Sequence, residues 1–170
     1  HHFLLTDDEV ERQGPAAKMA PPLRSAADVE AMKAGLADGT IDTIATDHAP
    51  HTVQEKAASL EDSPFGIVGL ETAVGLSITA LVEGGRLDLP TLVEKFTWAP
   101  ARILGLPGGR LSPGEVGDVT VLDPRRRWTV DPGDFRSMAT NTPFTGFDLV
   151  GRAVATIVAG RIVFRDDTLV

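Results

Sequence analysis

In the first hundred residues, apolar positions recur at helical spacing; beyond them they fall into short β-like runs. Ser25 offers a helix N-cap with Asp28 three residues on. Val29, Met32 and Leu36 follow on one face, and Gly39 sits where a glycine stop belongs. Ile41–Thr46 comes next. Its apolar residues do not alternate strictly, which predicts a strand buried on both faces. From Leu70, the positions Ala73, Val74, Ser77, Ile78 and Leu81 make a second stripe that ends at Gly84-Gly85. Pro90 opens a third helix through Phe96, since proline suits a first turn, and Thr97 caps a fourth, Pro100 to Leu104, closed by Gly105. These stripes are read as core packing.

Between and before these elements the chain is punctuated. Residues 1–24 lack sustained periodicity and contain Gly14-Pro15 and Pro21-Pro22, so they are expected to be mostly loop. Residues 48–69 hold Pro50, Pro64, Gly66 and Gly69 among charges, which predicts a long loop over the end of the strand, and such loops in compact domains usually bind or cover something. After Gly105, Gly114 to Asp118 leads into Val119–Leu122, then a turn at Asp123-Pro124. Trp128–Val130, Val154–Val158 and Arg161–Phe164 are further β runs, the last two joined by Ala159-Gly160. Arg125-Arg126-Arg127 reads as a solvated turn. The expected organisation is therefore helix-strand-helix over 1–104 and a small sheet over 105–170.

Composition narrows the function. The chain has 170 residues, 42% hydrophobic and 24% charged, which is ordinary for a globular protein. A net charge of −8 and a pI near 4.9 argue against a nucleic-acid surface. No apolar run approaches a membrane span and no signal-peptide pattern is present, so a cytoplasmic location is expected. With no cysteines, disulfides and thiolate metal sites are excluded. The chain opens His1-His2-Phe3 without Met, which reads either as the stub of a purification tag or as the interior of something longer.

The chemistry concentrates in Ala45-Thr46-Asp47-His48-Ala49-Pro50-His51. A carboxylate at the C-terminal end of a strand, with imidazoles just beyond it, is where barrel enzymes place metal and proton chemistry. The bland alternative is a loop that happens to be polar; three metal-compatible side chains packed this closely weigh against it, although spacing does not name the metal.

Lys18 to Arg24, Asp38 to Asp42, Ala45 to His51, Glu55-Lys56 and Pro64-Phe65-Gly66 together resemble the dihydroorotases of the amidohydrolase superfamily. Thr97 to Leu106 and Gly114 to Asp118 resemble that family's C-terminal region, and His1 to Thr6 resembles the segment after its seventh barrel strand, which counts against a tag. The ordered set covers nearly the whole chain. The resemblance implies an α/β fold: the last segments of a (β/α)₈ TIM-type hydrolase barrel over 1–104, and part of a small β-sandwich over 105–170. It implies zinc-dependent, reversible hydrolysis of dihydroorotate to N-carbamoyl-aspartate in pyrimidine synthesis, with two zinc ions activating water. Asp47 is expected to bind the more exposed metal and to carry the proton from the attacking water to the leaving nitrogen. His51 is expected to contact a substrate carboxylate, and Phe65-Gly66 to close on the substrate ring. His48 carries no family role, and neither His1 nor His2 matches a family metal ligand. A homodimer and aspartate carbamoyltransferase are the partners the family brings with it.

The chain also departs from the pattern. Ala20 stands where the family usually has an Asn whose side chain binds substrate, and alanine neither donates nor accepts there. The family's other metal ligands all lie before residue 1. A catalytic zinc takes about three protein ligands, and a barrel needs eight strands over roughly 250 residues. The expectation is a part of a longer polypeptide, not competent alone. Two further functions compete: a related cyclic amidase, such as a hydantoinase or allantoinase, and a non-catalytic scaffold for aspartate carbamoyltransferase.

Overall fold

In a computed structural model the described residues are 1–165 with Thr168 and Leu169, so the expected end of the β segment at residue 170 lies outside them. The α/β class stands. Six α-helices precede an antiparallel sheet: α1 (Asp8–Gln13), α2 (Ala26–Asp38), α3 (Val53–Lys56), α4 (Ala73–Ser77), α5 (Leu89–Phe96) and α6 (Trp98–Leu104), then β1 (Val119–Thr129), β2 (Asp148–Val158), β3 (Arg161–Arg165) and β4 (Thr168–Leu169). The strands lie in the order β1-β2-β3-β4, a simple meander. Among the described residues no helix is long and apolar enough to cross a membrane.

Local chemistry sets several boundaries. The Ser25 side chain accepts from the Asp28 amide while the Asp28 carboxylate accepts from the Ser25 amide, so α2 starts with a full capping box; Gly39, at φ +87°, ends it. Asp88 caps α5 by accepting from the Thr91 amide, two residues before Pro90 in the first turn. The second stripe starts later than expected. It is α-helical from Ala73 and continues as a π-helix over Ile78–Glu83. There the Thr79 hydroxyl accepts from the Val150 amide of β2 at 2.8 Å, so a tertiary bond accompanies the wider turn. Residues 8–17, expected to be loop, form α1 and a 3₁₀ turn.

Two expectations fail for the same reason. Ile41–Thr46 is extended but is not a strand: the nearest pairing is a single parallel bridge between His48 and Ile67. A strand exists only when a neighbour takes its amide ladder. Here the Ile44 amide bonds to the Lys95 carbonyl at 3.2 Å, and buried Lys95 donates its ammonium to the Ile41 carbonyl at 2.6 Å. Nor is the segment buried on both faces, since Asp42 and Ala45 are exposed. Conversely, the turn expected at Asp123-Pro124 lies inside one long strand. Pro124 has no N–H to give the ladder, so the register slips between Asp123 and Arg127, and the Arg125 amide turns back onto the Asp123 carboxylate at 3.0 Å.

The β2–β3 hairpin turns on Ala159 and Gly160, both at positive φ, as a two-residue turn between right-twisted strands requires. One core cluster joins Leu5, Met19, Leu23, Ile67 and Leu76 to Val130, Phe144 and Leu149; the other joins Phe3, Leu36, Ile78, Leu81 and Leu92 to Val150. Both draw on the helical segments and on the chain beyond Leu104, so the sheet is packed against the helices that present the loop after Asp47.

Candidate functional site

The site is built where the extended segment ends. Asp47 is exposed and sits at φ +47°, a left-handed conformation that aspartate tolerates better than most residues. Immediately after it the chain is pinned. The Ala49 amide donates to the Ile67 carbonyl at 2.8 Å, and His48 Nδ1 accepts from the Gly69 amide at 3.1 Å. That bond to the Gly69 amide makes His48 an anchor for the start of the loop.

His51 is held at both ends. Its ring Nε2 lies 2.8 Å from the Phe65 carbonyl, and because a carbonyl only accepts, Nε2 is the donor. Its backbone amide donates to Asn141 Oδ1 at 3.0 Å. Downstream, Thr52 and Glu55 form a capping box that starts α3. The loop that returns toward Asp47 is fastened by two lysines: Lys18 donates to the Glu61 and Ser63 carbonyls at 3.0 and 2.7 Å, and Lys56 to those of Pro64 and Gly66 at 3.0 and 3.1 Å. Burial, with the Lys18 charge close by, holds the Lys56 ammonium below its ordinary pKa.

Phe65 is 56% exposed, and its ring lies beneath the Lys18 ammonium at 4.4 Å. Gly66 beside it is buried at φ +109°, and a Cβ there would lie 2.5 Å from that of Ala49. His51 and the Phe65–Gly66 turn, fourteen residues apart, are therefore one assembly lying after Asp47. Ala20 is exposed and lies two residues past Lys18, which anchors the same loop.

Several contributors carry no local signal in the sequence. Asn141 Nδ2 donates to the Ala49 and Gly66 carbonyls, across more than seventy residues of chain. Glu71 accepts from the Ser137 amide and hydroxyl at 2.8 and 2.6 Å; burial raises its pKa, but those bonds hold it below the ordinary carboxylate value. These groups line an open depression of about 510 Å³ with His48, Leu70, Arg136 and Met138. His2 has a buried Nε2 with no hydrogen-bond partner, and burial holds its pKa below the ordinary value, with the Asp47 carboxylate opposing it only in part. Among the described residues, no three His, Asp or Glu side chains converge as a metal cage. A larger cavity of about 590 Å³ between α4 and the sheet, lined by Glu71, Trp128, Arg152 and Phe164, includes none of Asp47, His51, Phe65 or Gly66.

Comparison with known proteins identifies the family. The chain is 55% identical over 165 residues to the dihydroorotase of Citrifermentans bemidjiense, and 54% identical over 166 residues to that of Pelotomaculum thermopropionicum, covering 97% and 98% of this chain. It spans 39% of the length of each of these curated relatives. Among solved structures it superposes on the L-hydantoinase (dihydropyrimidinase) of Arthrobacter aurescens with a TM-score of 0.93 at 35% identity, and on the D-hydantoinase (dihydropyrimidinase) of a Thermus species with 0.91 at 32%. Each match covers 99% of this chain and 39% of the other. With residues 4–163 also matching the description "Amidohydrolase family", the chain belongs to the amidohydrolase family.

Proposed function

We propose that this chain is the C-terminal portion of a dihydroorotase, contributing one catalytic carboxylate and the substrate loop to a barrel completed by other parts of a longer polypeptide. The observation that carries the reading is the joining of His51 to the Phe65–Gly66 turn directly after Asp47, in a sequence more than half identical to curated dihydroorotases. In the hydrolytic direction water adds to the ring carbonyl carbon and the C–N bond breaks. Asp47, exposed and turned out by its left-handed backbone, takes the proton from that water and returns it to the departing ring nitrogen. His51 spends Nε2–H on the Phe65 carbonyl, which leaves Nδ1, 4.0 Å from a Glu55 carboxylate oxygen, as the ring atom for a substrate carboxylate.

Zinc, two ions by the resemblance, is supplied with one fitting donor here. Asp47 offers an oxygen ligand, but about three protein ligands make a catalytic site and the described residues gather no such group. The chain alone does not fit the metal, so the remaining donors are assigned to the rest of the polypeptide. A homodimer and aspartate carbamoyltransferase follow from the resemblance, and co-purification with light scattering tests both.

A hydantoinase reading draws on the structural likeness to L- and D-hydantoinases. Turnover of dihydroorotate, hydantoin and allantoin by the intact zinc-loaded protein separates the readings: preference for dihydroorotate is expected, and preference for hydantoin overturns the proposal. Asp47→Ala is expected to lower turnover by at least about a hundredfold while the protein stays folded. Near-normal turnover at saturating zinc removes Asp47 from the proton path.

A further inference from the structure

We propose that Asn141 is a positioning residue for substrate recognition, one that locks the backbone after Asp47 and the Phe65–Gly66 turn into a single frame. The inference rests on the reading of His51 and Phe65–Gly66 as the substrate loop. The Asn141 side chain makes three hydrogen bonds, all to backbone: Nδ2 donates to the Ala49 carbonyl at 3.0 Å and to the Gly66 carbonyl at 3.2 Å, and Oδ1 accepts from the His51 amide at 3.0 Å. Its own carbonyl accepts from the Val68 amide at 3.0 Å.

A primary amide carries two N–H donors and an accepting oxygen on one planar group. Here both donors are spent on carbonyls from two different loops, and the oxygen takes the amide of the very residue whose imidazole grips Phe65. Aspartate has no hydrogen to donate, glutamine is a methylene too long, and alanine leaves two carbonyls and an amide without these partners. The lysines act differently. Lys18 and Lys56 fasten the returning loop, each through one ammonium hydrogen-bonded to that loop alone. Asn141 bonds to both loops.

The placement explains a close approach. Gly66 packs where a Cβ would lie 2.5 Å from that of Ala49, and the Asn141 amide bonds the carbonyls of these same two residues. Asn141 makes no hydrogen bond to Asp47 and no contact with the Phe65 ring among its three side-chain bonds, so its effect on substrate runs through His51 and the turn. The segment that carries it is fixed from behind: Phe144, three residues on, is 1% exposed in the core cluster, and the Gln13 side chain donates to the Pro143 carbonyl at 3.1 Å. A rigid bracket therefore reaches from the core to the loop.

The test is a double-substitution cycle in the intact zinc-loaded protein. Asn141→Ala is expected to raise KM for dihydroorotate roughly tenfold, with kcat changed by about twofold or less. Combined with His51→Ala, it is expected to add little to the KM of His51→Ala alone, because both act on one contact. KM effects that multiply, or an unchanged KM, overturn the role. Should Asn141→Ala fold poorly, Asn141→Asp keeps the shape and the acceptor but loses both donors; a wild-type KM in that variant overturns the proposal equally. Amide exchange provides a readout independent of turnover. Faster exchange at His51 and Val68, with Leu76 still protected, supports the bracket even if dihydroorotate proves not to be the substrate, and unchanged exchange at both overturns it.

Discussion

Gly66 sits at a φ that residues bearing a side chain rarely adopt, packed against Ala49. Gly66→Ala must move the turn or the loop at Ala49, at a cost of about 1–3 kcal/mol. The expected result is a raised KM with a modest loss of melting temperature, and unchanged kinetics would show that the turn does not meet substrate. His51→Ala removes both the imidazole and its hold on Phe65. One charge-assisted contact contributes about 1.5–3 kcal/mol, so KM should rise by roughly tenfold or more with kcat less affected; steady-state kinetics decide it. The types and order of Asp47, His51, Phe65 and Gly66 are legible in the sequence because they form short local motifs. The side chain that holds them together, Asn141, is not, since a hydrogen bond across ninety residues leaves no local periodicity.

Among elements, α3 shows how pH behaviour follows from a cap. The Glu55 carboxyl is held below its ordinary 4.5, first by the Thr52 amide and then by the Thr52 hydroxyl. A carboxyl with a depressed folded pKa stabilises fully above its unfolded value and loses that contribution as pH falls through the folded one. Protection of the Thr52 amide from exchange should therefore drop on acidification below about pH 4.5, and Glu55→Gln should abolish that dependence. A wild-type profile already flat would contradict the cap. The α2 and α5 boundaries were readable from Ser25, Asp28, Gly39 and Pro90 because caps are local hydrogen-bond chemistry. The strand at Ile41–Thr46 was misread for the opposite reason, as pairing belongs to a neighbour and not to the segment itself.

For the whole molecule, the helices and the sheet meet at glycines. A Cβ on Gly151, at φ +92°, would collide with the Ile78 side chain, and one on Gly75 would lie 2.9 Å from the Trp128 ring. Gly151→Ala should lower stability by about 2 kcal/mol or more. Gly146→Ala, also at positive φ but with nothing within 4 Å, should cost about 1 kcal/mol. Equal shifts in melting temperature for the two would mean that backbone strain, not the helix–sheet contact, governs this junction.

The sequence by itself determined what neighbouring residues settle among themselves: the caps of α2 and α5, the glycine stops, the helical stripes, the Ala159-Gly160 hairpin and the acid-and-imidazole motif after Thr46; the cap expected at Thr97 fails, since its hydroxyl donates to the Val93 carbonyl and α6 begins at Trp98. Tertiary structure alone decided which extended segments became strands, that β1 runs through the bulge at Pro124, and that one asparagine and two lysines fasten the loop beside Asp47. The division is physical. Capping and periodicity are satisfied within a few residues, whereas ladder pairing, close glycine contacts and bracing hydrogen bonds exist only once distant parts of the chain have been brought together.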